Sequence, residues 1–188
     1  MNRFLIDHHP DAIAKQLCDV HICKMPTEEA QMLSSAVWYH RPDIHAQLEL
    51  YKPSHIHKKE VDGKEVLTGH PCTLWALETR ANYVFAWKLY DAMLREYTFR
   101  YGKIHGASNP STTNTNVHAD ELLEAAQFIP EGQLTKHPQC FGDHNKHLMT
   151  DEVWPIMAYR TFYVVDKSKI AKYNNGRPRP SWMKGEVA

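Results

Sequence analysis

Apolar residues recur along the chain at steps of three and four, and polar stretches broken by proline and glycine separate these stripes. The spacing is that of the buried face of a helix, and it is clearest between Leu74 and Met93. It predicts helices over about 11–25, 27–39, 73–101, 117–128 and 151–169. We therefore expect a mainly α fold, a single-domain helical bundle of about five helices with long irregular loops.

Three local features refine this picture. Residues 3–6 are apolar except for Arg3 and predict either a short buried strand or an anchored N-terminus. Residues 61–66 hold Asp62-Gly63 at their centre, a turn signal that predicts a small hairpin. Pro26 either kinks the first helical run or begins the second one. We expect irregular structure in the rest of 42–70, in 106–116 and in 129–150.

Composition bounds the class of protein. The 188 residues are 43% hydrophobic, which fits a single all-α domain over residues 1–188. Basic and acidic residues balance at 22 each, so net charge gives no argument for nucleic acid. The basic C-terminal tail over 167–188 has no acidic residue as far as Lys184, and it is either solvated or bound to a polynucleotide backbone.

Localisation follows from what the sequence lacks. Its N-terminus is not typical of a signal peptide, and no apolar run approaches membrane-spanning length. The four cysteines form no CxxC pair, which favours a reducing compartment over a disulfide framework. We expect a soluble cytoplasmic protein with no membrane partner, either in a cell or in the host cytoplasm if the protein is viral.

Candidate chemistry centres on residues 19–31. Thirteen histidines are unusually many for this length, so acid–base or metal chemistry is considered. His21 and Glu28 are two helical turns apart and share a face with Cys18 and Met25. An ionisable pair on such an apolar face either braces the core or takes part in catalysis. The pattern leaves both interpretations open.

Two further groups combine charge with an apolar stripe. Glu96 and Arg100 are four residues apart near the end of the longest stripe, with Asn82 on the same side. This is either an exposed pair worth a few tenths of a kcal/mol or a buried pair that needs further hydrogen bonds. The last helix mixes cations with aromatics, which suits an anion or a stacked base, or else a core helix with snorkelling side chains. The residues concerned are Tyr159, Arg160, Tyr163 and Lys167.

Several short matches are shared with one enzyme family. They are Met1-Asn2-Arg3, Asp19-x-His21 followed by Glu28, His70-Pro71, a long helix with Glu96 and Arg100-Tyr101-Gly102, and Arg179-Pro180-x-Trp182. In these features the chain resembles the phage pyrimidine-dimer DNA glycosylases of the endonuclease V type, small all-α enzymes that repair ultraviolet damage. The matches cover about a third of the chain, which is longer than the small members of that family, mainly through residues 42–69 and 106–150.

The resemblance implies a glycosylase/AP lyase that acts on damaged pyrimidines in DNA without a cofactor. In that family an N-terminal α-amine attacks the sugar carbon and forms an imine, and a glutamate in the early helix assists. The family exposes its nucleophile by removing the initiator Met from a small residue. Because Asn2 is large, the amine here would be that of Met1. By position, the resemblance implies that Glu28, His21, Met1 and Glu96 are catalytic. The predicted substrate-binding residues are Asp19, Lys24, Gln31, His70, Asn82, Arg100, His105, Tyr159, Arg160, Tyr163 and Lys167.

Two other functions fit the same residues. The first is a metal-dependent enzyme, in which two histidines and a carboxylate bind iron, or a mixed set binds zinc. Its ligands would come from His21, Glu28, His70 and His105, with Asp19 nearby. The second is a non-catalytic nucleic-acid-binding accessory protein, which would keep the basic tail and tolerate loss of the Glu28 charge.

Overall fold

The computed structural model describes residues 2–108 and 119–183. It confirms the mainly α fold: the described residues form seven α-helices and one two-stranded hairpin, more helices than the five expected. The helices are α1 (Pro10–Gln16), α2 (Asp19–His40), α3 (Pro42–Gln47), α4 (Pro71–Glu78), α5 (Arg80–Tyr101), α6 (Ala119–Glu124) and α7 (Ile156–Lys167). The strands are β1 (Ile56–Val61) and β2 (Lys64–Gly69).

The hairpin is present where the sequence predicts it, with longer strands. The strands are antiparallel, and Ile56 pairs with Gly69 and Val61 with Lys64. Asp62 and Gly63 form the two-residue turn with φ values of 52° and 72°. Positive φ at both positions is the requirement of a type I′ turn, which Asp-Gly meets at low cost.

Helices α2 and α5 pack against each other at the centre of the fold, and α1 and α4 pack on them. One apolar cluster joins the N-terminal segment and α7 to the first half of α2, and a second joins α4 and α6 to its second half. Phe85 and Trp154 pack against both clusters. Phe4, Leu5 and Ile6 are buried without strand pairing, so the N-terminus is anchored rather than a strand.

The predicted boundaries of the first helices are wrong. The chain leaves helical geometry at Leu17, whose ψ is 142°, and α2 then runs without interruption through Pro26 to His40. The break is stabilised by tertiary bonds, since Cys18 N–H donates to the Tyr163 hydroxyl at 2.9 Å and Asp19 N–H to the Lys172 carbonyl at 2.9 Å. Buried Pro26 is tolerated inside α2, although proline in a helix interior costs about 3 kcal/mol.

Later boundaries also differ. Thr79 is extended and its hydroxyl accepts the N–H of Asn82 at 3.2 Å, so the predicted helix over 73–101 is two helices, α4 and α5. Residues 151–155 precede α7 and are not helical. Leu122 of α6 is buried, whereas its neighbour Leu123 is 38% exposed. Part of the loop 106–116 and the start of the predicted helix 117–128 lie outside the described residues. Four short 3₁₀ segments complete the described structure: Gly106–Ser108, Ala125–Phe128, Asp143–Leu148 and Ser181–Met183.

The C-terminal segment packs on the body of the protein as far as it is described. Ala171 and Met183 are buried, and the Tyr173 hydroxyl donates to the Gln16 carbonyl at 2.9 Å. Arg177 binds Glu96 through two hydrogen bonds of 2.8 and 2.9 Å. Over residues 171–183 the tail is therefore not a solvated extension. In the described part of the chain, no helix combines the length and apolar character that a membrane span needs.

Candidate functional site

A cleft of about 320 Å³ separates the first half of α2 from the end of α7. The N-terminal segment and the loop before the 3₁₀ turn at Asp143 form its other walls. The lining residues are Asn2, Phe4, His21, Lys24, Met25, Glu28, Cys140, Gly142, His144, Phe162, Asp166 and Lys167. The face of α2 on which the sequence places His21 and Glu28 is thus the face that lines the cleft, as the two-turn spacing predicts.

His21 is a buried imidazole on the cleft wall. Its ring stacks on Phe4 at 4.6 Å, and its Nδ1 lies 2.7 Å from the Tyr163 hydroxyl. That hydroxyl already accepts the Cys18 N–H, so it is placed to donate its own proton to Nδ1. Burial, with smaller effects from the charges of Lys167 and Lys24, lowers the pKa of His21 to about 4. The imidazole is therefore neutral at pH 7, and because Nδ1 accepts from Tyr163, Nε2 carries the proton and can donate a hydrogen bond.

Glu28 supplies the carboxylate on the wall of the cleft that α2 forms. Its side chain is 13% exposed, and one carboxylate oxygen lies 2.8 Å from the Nζ of Lys24, one helical turn earlier. Lys24 is mostly exposed, so this ammonium can also face a ligand in the cleft. Glu28 therefore lies at the cleft surface rather than deep in the core.

The opposite wall carries a second carboxylate–ammonium pair, which was not predicted from the sequence. Asp166 lies 2.7 Å from the Nζ of Lys167 and accepts hydrogen bonds from His144 and Asn145, each at 3.3 Å. The hydrogen bond from Lys167 is the main cause that lowers the pKa of Asp166. No sequence signal pointed to His144 or Asn145, because residues 129–150 have no periodicity that would place them.

Glu96, Asp19 and Arg100, predicted as site residues, do not line this cleft. Arg100 donates to Glu96 at 2.7 Å and to Asp19 at 3.0 Å, and all three residues are buried. Arg177 completes the network from the C-terminal segment, and hydrogen bonds from it and Arg100 lower the pKa of Glu96 against the effect of burial. Of the two alternatives stated for Glu96 and Arg100, the structure has the buried pair with further hydrogen bonds.

Other predicted substrate-binding residues hold loops to helices. Asn82 donates to the Trp75 carbonyl at 2.9 Å and to the Thr135 hydroxyl at 2.8 Å. His105 bonds the Cys23 carbonyl at 3.0 Å. Gln31 is half-buried on α2 and does not line the cleft. Lys24 and Lys167 are the predicted substrate-binding residues that do line it.

The aromatic and basic residues of α7 that were predicted to bind substrate lie in different surroundings in the structure. Tyr159 is buried, and its hydroxyl donates to the Pro138 carbonyl at 2.8 Å. Tyr163 supports His21 from below the cleft surface. Arg160 donates to the Ile6 carbonyl at 2.8 Å, and its guanidinium lies 5.5 Å from the Trp182 ring, outside the cleft. Within this group only Lys167 contributes a side chain to the cleft lining.

The most deeply buried acid of α2 is Glu29, not Glu28. Glu29 forms an ion pair with Arg3, and both side chains are at most 1% exposed. Arg3 also lies 4.9 Å from the centre of the Trp75 ring. A signal for Glu29 was present, because it follows Met25 by four residues on the same apolar stripe. Its partner Arg3 is 26 residues away and could not be assigned.

The metal set expected from the sequence is not assembled. Asp19 belongs to the Arg100 network, and His105 bonds the Cys23 carbonyl and the Ala107 N–H. His70 instead lies beside Cys72 and Cys140, and one ligand atom from each of these three residues falls within 4.8 Å of the others. The two sulfurs are 3.4 Å apart, and their hydrogen bond lowers the pKa of Cys140 and raises that of Cys72.

Met1, predicted to supply the nucleophilic amine, lies outside the described residues. Its neighbour Asn2 lines the cleft and donates from Nδ2 to the Cys140 carbonyl at 3.0 Å. The cleft therefore brings together two carboxylates, the neutral imidazole of His21, two ammonium groups and the beginning of the described chain. Comparisons with protein-family models, curated proteins and solved structures find no match for this chain.

Proposed function

We propose that the cleft is the active site of a DNA glycosylase/AP lyase that acts on damaged pyrimidines. One observation carries the proposal: Glu28 and Asn2 line the same cleft. The peptide bond joins Met1 to Asn2, so an attacking amine on Met1 would belong to the residue next to one that lines the cleft. Had Glu28 been on the outer surface of the protein, or far from Asn2, the proposal would have had no basis.

The proposed reaction needs one amine and one carboxylate. The neutral amine attacks C1′ of the damaged nucleotide, the glycosidic bond breaks, and the base leaves with its bonding electron pair and gains a proton. Loss of the amine proton and ring opening then give an imine, from which the lyase step eliminates the 3′ phosphate. An α-amine has a pKa near 8 in peptides, so a fraction is neutral at pH 7. Glu28 would accept the amine proton and stabilise the positive charge that develops on the sugar.

The other walls of the cleft suit a single extruded nucleotide. A volume of about 320 Å³ is at the small end of ligand pockets, so a duplex would have to present one flipped-out residue. Phe4 and Phe162 supply apolar lining, and Lys24 and Lys167 supply positive charge for phosphate oxygens. Each ammonium is paired with a carboxylate of the same lining, Glu28 or Asp166, so a phosphate oxygen would share these ammonium groups with their carboxylate partners.

Borohydride trapping tests the proposal directly. We expect the protein to form a covalent adduct with abasic or ultraviolet-damaged duplex DNA under borohydride, since reduction makes the imine permanent. Peptide mapping should place the adduct on the α-amine. An adduct on the side chain of Lys24 would keep the lyase chemistry and reject the assigned nucleophile.

A pair of variants isolates the role of the carboxylate. Glu28→Gln should fold normally and lose the adduct, because the amide cannot accept a proton. Glu124→Gln, on an exposed part of α6, is the matched control and should trap as well as the original protein. If neither the original protein nor the control forms an adduct, the glycosylase is rejected. Retained DNA binding in that case would favour the non-catalytic accessory protein.

A further inference from the structure

Two cysteines and a histidine meet at the N-terminus of α4, at one edge of the cleft. The sulfurs of Cys72 and Cys140 are 3.4 Å apart, and an imidazole nitrogen of His70 completes a group whose atoms all lie within 4.8 Å of one another. We infer that His70, Cys72 and Cys140 form a Zn²⁺ site with three protein ligands and a water at the fourth position. This site is independent of the proposed glycosylase chemistry, which uses none of the three side chains.

Local geometry presents two of the ligands together. Pro71 begins α4, and His70 precedes it as the N-cap with its Nδ1 accepting the Cys72 N–H at 3.2 Å. The cap holds the imidazole over the first turn, where the thiol of Cys72 also lies. Proline at the first helical position and a side-chain acceptor at the N-cap are both favourable there.

Cys140 comes from a loop that hydrogen bonds hold in place. Its N–H donates to the Tyr159 hydroxyl at 3.2 Å, and its carbonyl accepts from Nδ2 of Asn2 at 3.0 Å. Tyr159 in turn donates to the carbonyl of Pro138, two residues earlier, at 2.8 Å. These hydrogen bonds at Pro138 and Cys140 keep the thiol of Cys140 close to Cys72 before any ion binds. A site that is ordered in advance loses less conformational entropy when the ion binds.

The donor set fits zinc in type and in charge. Thiolate and imidazole are the ligands that Zn²⁺ prefers, and two thiolates neutralise its charge in a mostly buried position. The ion pair between Arg3 and Glu29 lies nearby, since Arg3 approaches the Cys72 carbonyl at 3.5 Å, and it adds no net charge. Cys72 is fully buried, whereas His70 and Cys140 are partly exposed, so an open fourth position would face outward.

The sulfur separation also favours an ion over a disulfide. Two sulfurs about 2.3 Å from a tetrahedral zinc are about 3.8 Å apart, so the observed pair would have to open by only about 0.4 Å. A disulfide of about 2.05 Å would require the sulfurs to close by more than about 1.3 Å. A disulfide would also give no chemical role to the imidazole of His70.

Metal titration of the full chain tests the site. The protein is reduced, stripped with a chelator and titrated with Zn²⁺, and bound metal is measured after gel filtration. We expect about one equivalent. Co²⁺ in place of zinc should show the sulfur-to-cobalt charge-transfer absorption of a site with two thiolates. Reduced protein that binds no zinc and shows no such absorption would overturn the inference, above all if Cys72 and Cys140 form a disulfide when purified.

Variants assign the ligands. Cys140→Ser and His70→Gln, both at partly exposed positions, should weaken zinc binding by more than about 100-fold. Loss of a residue that only hydrogen-bonds to a metal ligand already costs about 10- to 100-fold in affinity, and loss of the ligand itself costs at least as much. Cys23→Ser is the matched control at an exposed cysteine and should bind zinc unchanged. Equal affinity in the control and in Cys140→Ser would reject the site. If a variant fails to fold, the cobalt spectrum of the original protein decides. Neither readout depends on DNA, so the glycosylase can fail without affecting this result.

Discussion

Replacement of Glu29 by glutamine tests whether the two adjacent acids of α2 have different roles, Glu29 in a buried ion pair and Glu28 at the cleft surface. Glu29 and its partner Arg3 are at most 1% exposed, and glutamine has nearly the same volume as glutamate. The change therefore removes a charge without creating a cavity, and it leaves the Arg3 guanidinium buried without its counter-ion. Breaking a buried ion pair from one side costs about 3–5 kcal/mol.

The neighbouring change Glu28→Gln is the internal comparison. Its salt bridge is to Lys24, which is 62% exposed, and pairs of that kind contribute about 0–1 kcal/mol. For a domain of this size, 1 kcal/mol shifts the melting temperature by about 2–4 °C. We therefore expect a fall of about 6–20 °C for Glu29→Gln and of at most about 4 °C for Glu28→Gln.

Thermal unfolding followed by circular dichroism, with urea unfolding as the free-energy measurement, checks both values. A double variant, Arg3→Met with Glu29→Met, is the control and should lose less stability than Glu29→Gln, because no uncompensated charge remains. Equal losses of stability in Glu28→Gln and Glu29→Gln would refute the different roles assigned to these two acids. So would a collapse of the thermal transition in Glu28→Gln, which would make Glu28 a structural residue and weaken its assignment to catalysis.

Two further predictions concern pH and the C-terminal segment. The pKa of His21 is about 4 in the fold and 6.5 without burial, so the unfolded chain binds the proton more tightly between these values. The contribution of His21 to the unfolding free energy should therefore fall by about 3 kcal/mol as the pH is lowered from 6.5 to 4. Urea titrations across that range should show that His21→Gln loses this part of the pH dependence. Identical pH profiles for the variant and the original protein would contradict the assignment. Asp19 accepts the Asn174 N–H at 2.7 Å and pairs with Arg100, so Asp19→Asn should loosen the segment after Ala171. A local loss of at least about 1 kcal/mol should raise the rate of tryptic cleavage at Lys172 about fivefold, and an unchanged rate would show that other contacts hold the segment.

Some boundaries were predictable in principle and were missed. Thr79 is a favourable N-cap residue, and its hydroxyl does cap α5, so the division between α4 and α5 had a sequence signal. The break between α1 and α2 had no such signal. It depends on the Tyr163 hydroxyl, 145 residues from Cys18, which accepts the Cys18 N–H. Pro26 shows the opposite case, because tertiary burial keeps a helix continuous where local preference would interrupt it.

Features that depend on neighbours along the chain could be predicted from the sequence alone. Helical periodicity predicted the class of fold, Asp62-Gly63 predicted the hairpin turn, and the seven-residue spacing predicted that His21 and Glu28 face the same side of α2. These features follow from local backbone geometry, which repeats every few residues.

Which charged groups are buried and which line the cleft depends on contacts between distant segments of the fold. The fold paired Arg3 with Glu29, took Glu96 into a network with Arg177, and placed Cys140 against Cys72, 68 residues away. The free energy of a buried charge or thiol depends on the partner that the fold brings to it, and such partners come from distant segments whose contacts no local period encodes.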